Sequence, residues 1–165
     1  MENTIPNTQI NNNTKFAILP IIICSLLTIT SLGLLYLTIN SSKTGIFIPI
    51  LFLVFAIYFG LTEFRTRAHK IEIQNEKIIV SKYFGLGKNK VFKLKHLEGF
   101  NVSLQPSKSG HYEYIFILNE GKRIASISEF YHSNYKTMKS TIEREIKYLG
   151  KTEYKFINEY KEMFK

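Results

Sequence analysis

The sequence predicts a pair of membrane-spanning helices followed by one mainly β domain. That domain is expected to be an antiparallel curved sheet or partial barrel of about six strands, closed by one C-terminal amphipathic helix. Three observations carry this. Two long uncharged apolar stretches precede residue 63, separated by a short polar segment. Nearly all charge follows them: 20 of the 22 basic and 12 of the 13 acidic residues lie from Thr62 onward. Beyond residue 68 the pattern becomes short β-rich runs punctuated by turn residues, then one stretch with apolar residues three and four apart.

Residues 1–14 are polar and rich in Asn and Thr, and are expected to be disordered. Residues 15–62 form the hairpin. From Phe16 to Ile39 there are 24 residues without a formal charge, 14 of them Leu, Ile or Phe. As a helix that run covers about 36 Å, enough for a hydrocarbon core of about 30 Å. Pro20 falls in the first turns, where a missing amide donor costs least. The second run, Thr44 to Thr62, spans about 28 Å, adequate with flanking residues snorkelling. The polar connection Asn40–Gly45 is short enough to force an antiparallel pair with both chain ends on one side.

A cleavable signal peptide does not fit, because its apolar run is shorter and its head is basic. Cys24, the one cysteine, excludes an intramolecular disulfide or a cysteine zinc cluster. Ile23 before it is too large for a lipoprotein-type processing site, so Cys24 reads as an apolar helix residue.

Sidedness follows from cations near the helix ends. Arg65, Arg67, Lys70 and Lys77 follow the second helix, Lys15 precedes the first, and the connection carries only Lys43. Both termini are therefore expected in the cytoplasm of a multi-pass protein of the cell membrane. Arg65, Arg67 and Lys70 are expected to sit at the headgroups, where each cation gains about 1 kcal/mol from an anionic leaflet.

Strands are expected at His69–Gln74, Lys77–Phe84, Asn89–Leu94, Gly99–Gln105, Tyr112–Leu118 and Lys122–Ser128, with turns at Asn75-Glu76, Gly85-Leu86-Gly87 and Asn119–Gly121. Phe100, Val102 and Leu104 alternate with Asn101, Ser103 and Gln105. Tyr112–Leu118 ends apolar on both faces and reads as central. A helix then starts at Ser133 or Asn134, either a good N-cap. Tyr135, Met138, Ile142, Ile146 and Leu149 form its apolar face, and Gly150 stops it.

The text IEIQNEKIIVSKYFGLGKNKVFKLKHLEGFNVSL, followed by YIFILNEGKRIASISEFYHSNYKTMKSTIEREI, resembles a bacterial pleckstrin-homology-like (PH-like) domain. The resemblance covers residues 69–150, about half the chain, and rests on the strand-and-turn pattern. Two helices followed by such a domain is an arrangement found in bacterial inner-membrane proteins of this kind. The resemblance implies a binding or assembly module without enzyme activity. Lipid-binding members elsewhere cluster Lys and Arg in the first hairpin; here that hairpin is IQNEKI, with Lys77 alone beside Glu76.

Residues 151–165 are expected to form an amphipathic tail. Phe156, Ile157, Tyr160, Met163 and Phe164 share one side, suited to the membrane interface or to packing on the domain or a partner.

Catalytic and metal signals are weak. His69, His96, His111 and His132 lack metal-ligand spacing, the chain has no Asp, and each histidine reads as a surface or turn residue. Gly85-Leu86-Gly87-Lys88 joins two strands instead of opening a helix, so it is a hairpin turn and not a phosphate loop. No cofactor, metal, nucleic-acid partner or small-molecule substrate is expected. The net charge of +9 reads either as Lys-rich composition or as an anion-binding surface. The expected function is a noncatalytic, membrane-anchored cytoplasmic binding or assembly module that meets a protein partner or itself. The alternative is a peripheral sensor of anionic lipid headgroups.

Overall fold

The computed structural model describes residues 13–40, 45–107 and 110–153. Helices α1 (Ile18–Asn40) and α2 (Phe47–Arg67) come first, followed by a mainly β domain. Its elements are β1 (Lys70–Gln74), β2 (Lys77–Ser81), β3 (Lys90–Lys93), β4 (Gly99–Ser107), β5 (Gly110–Asn119), β6 (Lys122–Ser128), α3 (Tyr135–Glu145) and β7 (Tyr148–Lys151).

Both long helices are long and apolar enough to cross a membrane. Their side chains point outward along most of the length: Ile18, Ile29, Leu37, Phe47, Ile48 and Leu51 are all more than half exposed. In water so large an apolar surface would be costly, at about 25 cal/mol per Å². The most buried residues of the two helices are small: Pro20, Ser31, Pro49 and Ala56. Ser31 is fully buried and donates its hydroxyl to the Pro49 carbonyl at 3.3 Å, and Ala56 is 6 % exposed. Small side chains let two helix backbones approach when apolar bulk gives no preference between neighbour and lipid.

Several boundaries differ from the sequence expectation: α2 starts at Phe47, and β2 ends at Ser81, with Tyr83–Gly85 a tight helical turn where a strand through Phe84 is expected. Phe16 is not helical; it forms a β-bridge with His132, so α1 begins at Ile18. Helix α2 runs five residues past Thr62, through Glu63–Arg67. Its last turn is kept by the Glu63–Arg67 pair at i,i+4 and by the basic residues Arg65 and Arg67 at the negative end of the helix dipole.

The β domain is two sheets, not one meander. One has the order β1-β2-β3, the other β6-β5-β4-β7. Every neighbouring pair is antiparallel except β4 with β7. Strand β5 is interior to its sheet, as its apolar run predicts. The β1–β2 hairpin turns on Asn75 and Glu76 and the β5–β6 hairpin on Glu120 and Gly121, all four with positive φ. Such left-handed pairs match the twist of the flanking strands.

Ile71, Ile73, Ile78 and Val80 of the first sheet meet Phe100, Val102, Ile115, Ile117 and Ile127 of the second in one core. Tyr135, Met138 and Ile142 of α3 join that core, as does Ile146 just beyond the helix. Each fully buried Ile or Phe contributes about 1.5–3 kcal/mol relative to exposure.

The helix expectation fails at its end. α3 stops at Glu145, and Ile146 is already extended, with φ −128° and ψ 139°. The chain then runs parallel to β4: Phe100 N–H donates to the Lys147 carbonyl at 2.8 Å and Thr152 N–H to Val102 at 2.8 Å. Gly99 makes room for this strand. Its φ is +150°, and a Cβ there would strike the Lys147 carbonyl and the Leu149 side chain. Leu149, expected on the helix face, instead lies over Gly99 and is 44 % exposed.

Candidate functional site at the helix–domain junction

The chain enters α1 and leaves α2 at the same patch of the β domain. Phe84 is the centre of that patch: its ring meets Phe16 and Phe64 edge-on, each at 4.8 Å between centroids. The Phe84 amide donates to the Ala68 carbonyl at 2.8 Å. Ala68 and Tyr131 pack with Tyr114 and Phe116 on the outer face of the β4–β5–β6 sheet.

Arg67 turns into this junction. Its Nε lies 3.3 Å from the Glu63 carboxylate, and the two side chains are only 13 % and 16 % exposed. Nη1 donates to Gln105 Oε1 at 3.0 Å and to the Tyr114 hydroxyl at 3.3 Å, with the guanidinium 5.2 Å from the Tyr114 ring centroid. Tyr131 donates its hydroxyl to Glu63 at 2.9 Å. Burial, followed by the neighbouring Glu63 carboxylate, pushes the Tyr131 phenol far above its ordinary range, so it acts as a fixed donor.

The N-terminal segment is knitted to the same end, so residues 13 and 14 are ordered where the sequence suggested a loose tail. Thr14 exchanges two hydrogen bonds with Ile71: its amide donates to the Ile71 carbonyl at 2.9 Å, and its hydroxyl accepts the Ile71 amide at 2.9 Å. Asn134 precedes α3 as expected, yet it does not cap it. Its side chain accepts the Lys15 amide at 2.7 Å and donates to the Asn13 carbonyl at 2.8 Å.

His69 and His132 correct the surface reading of the histidines, since they are 4 % and 1 % exposed. Strand β6 is an edge of its sheet. Its Ser126 amide donates to His69 Nδ1 at 3.0 Å and its Ser128 amide to His132 Nδ1 at 3.2 Å. Both rings must be neutral to accept there. Burial, then nearby Lys82 and His132, holds the His69 imidazole down at about 3, and burial likewise lowers His132. His96 and His111 are exposed.

A basic collar surrounds the junction. Arg65 is half-buried in the last turn of α2, and Lys70 is exposed with its stem against Gly85. Lys82 is lowered from the usual lysine range by burial and then by Arg65 and Lys90. The sequence points to Arg65, Arg67 and Lys70 as the headgroup residues. The structure brings Arg65 and Lys70 together with Lys82, and directs Arg67 inward to Glu63. Gly85-Leu86-Gly87 is the turn the sequence suggests, and Lys82 and Lys90 on either side of it are not among the site residues the sequence selects. Phe156, Tyr160, Met163 and Phe164 lie outside the described residues.

Elsewhere, Glu113 accepts the Tyr135 hydroxyl at 2.5 Å and the Lys139 ammonium at 2.6 Å. Burial alone would raise the Glu113 carboxyl, but these two donors outweigh it and hold it below the usual range. A shallow depression of about 260 Å³ at the start of α3 is lined by Glu129, His132 and Ser133 among others. Among the described residues no group of three His, Cys, Asp or Glu is placed to hold a metal ion. No protein-family model, curated protein or solved structure matches the chain.

Proposed function

We propose that the chain is a noncatalytic, membrane-anchored binding or assembly module. Its hairpin crosses the cell membrane twice and holds a PH-like domain on the cytoplasmic side. The observation that carries this reading is the junction. Phe16 before α1 and Phe64 within α2 close on the same Phe84 ring, so the hairpin and domain form one bonded unit and not a tethered pair. A domain fixed in this way presents a constant surface at a constant height above the bilayer.

Two sheets sharing one core with a helix late in the chain support the PH-like assignment, and the parallel strand β7 is a departure from it. Lys15, Arg65 and Lys70 near the helix ends, against Lys43 in the connection, support cytoplasmic termini. The half-buried acids Glu63 and Glu113 are committed to structural partners, which favours a scaffold over a catalyst. The partner is a protein or a second copy, for which the edges β3 and β7 offer exposed Val91, Tyr148 and Leu149.

A photocrosslinking residue placed at Val91 or Tyr148 of the full-length chain in native membranes tests this. The reading expects a discrete adduct from at least one position. A chain that gives none and is monomeric in detergent contradicts it.

A further inference from the structure

We propose that the turn from Lys82 to Lys90 seats on anionic lipid headgroups of the leaflet from which α2 emerges, with Leu86 dipping into the apolar boundary. This rests on the reading that the hairpin crosses a bilayer.

The turn is held rigidly where such a contact would occur. Its amides are satisfied internally: Gly85 and Gly87 each donate to the Lys82 carbonyl at 3.0 Å, and Leu86 donates to Tyr83 at 3.0 Å. Tyr83 and Phe84 adopt positive φ of 51° and 57°, a strained backbone for bulky residues that survives because Phe84 is clamped between Phe16 and Phe64. The turn therefore stands beside the two points where the chain passes into the apolar helices.

What it presents there suits an anionic interface. Leu86 is 90 % exposed, the most exposed of the large apolar side chains described. Around it stand Arg65, Lys70, Lys82, Lys88 and Lys90, and no ion pair among the described residues engages any of them. Like charges drawn together without a counter-charge repel one another; burial first, and then Arg65 and Lys90, lower Lys82 from the usual lysine range. Phosphate groups of the leaflet supply the missing charge, and one apolar side chain in a ring of lysines matches the depth order of headgroup and acyl chain.

The experiment uses the full chain with Cys24→Ser and an environment-sensitive probe on Leu86→Cys, reconstituted into vesicles. A second chain carries the probe on His96→Cys, an exposed site ahead of β4 beside the far turn of the β1–β2 hairpin, where Leu94 N–H donates to the Glu76 carbonyl, as the wet control. In vesicles rich in phosphatidylglycerol, the probe at position 86 is expected to shift blue and to be quenched several-fold more by shallow spin-labelled lipid than the probe at 96. In phosphatidylcholine alone, or in molar salt, that difference should shrink. Lys88→Gln with Lys90→Gln, both exposed positions, should remove the phosphatidylglycerol dependence without unfolding the domain. Equal quenching at 86 and 96 in a chain shown to be membrane-integrated overturns the proposal alone. A chain that remains soluble without detergent overturns both the proposal and the membrane reading.

Discussion

His132 donates its Nε2–H to the carbonyl oxygen of His69 at 2.9 Å, while the Nδ1 of each ring accepts an amide of the β6 edge. Because His69 leads directly into β1, the two imidazoles join the three-stranded sheet to the four-stranded one where no backbone ladder does. They also cap two amides that an edge strand would otherwise offer to another chain.

A pH dependence follows. Folding keeps both rings neutral, lowering their pKa values below the unfolded value of 6.5, His69 to about 3. The unfolded state therefore binds more protons throughout that interval. The stability from neutral burial is fully present above about pH 6.5 and is lost progressively as pH falls toward 3. Thermal unfolding of the detergent-solubilised chain should show a midpoint that drops from pH 7.5 to pH 5. His69→Asn offers an acceptor that does not titrate; it should lower stability at pH 7.5 yet flatten the slope.

Arg67→Ala should destabilise the junction by about 2–4 kcal/mol, because it leaves Glu63 charged and mostly buried and removes a donor from Gln105 and Tyr114. Glu63→Gln combined with Arg67→Met should cost less than the Arg67→Ala change alone. Chemical denaturation of the three chains decides it. If the double variant is the weakest, the pair is not acting as a desolvated ion pair.

Gly99→Ala should expel β7 at a cost of about 1–3 kcal/mol, since the new methyl meets the Lys147 carbonyl and Leu149 at a positive φ. Hydrogen exchange at the Phe100 and Thr152 amides should accelerate, with the β1–β2 amides unchanged. Gly121→Ala, with open space around it, should cost only about 1 kcal/mol and leave those amides protected.

Asn134→Ala should free the segment at residues 13–15 by removing both side-chain bonds to it, at about 1–2 kcal/mol. Limited proteolysis should then cut ahead of α1, where the parent chain resists.

The six antiparallel strands and the two apolar helices were legible because each repeats a simple period over many residues. Strand β7 was not, because Ile146 and Leu149 fit a helix face as well as they fit an extended segment. What decides between them is the space left at Gly99, a long-range fact. The two buried histidines were hidden for a similar reason: nothing local says that the amides of Ser126 and Ser128 need acceptors. Asn134 was found by its preference for helix starts, but its side chain serves a segment 119 residues earlier. Arg67 carried the right charge for a membrane-flanking residue, and only the fold shows that Glu63, one turn before, takes it inward.

Thiol labelling tests the central claim most directly. In a Cys24→Ser background, single cysteines at Ser42 and at His111 are probed in intact cells with a membrane-impermeant maleimide. A double-crossing hairpin with its domain inside predicts labelling at 42 without lysis, and at 111 only after permeabilisation. Labelling of 111 in intact cells, or equal labelling of both sites before and after lysis, would contradict it.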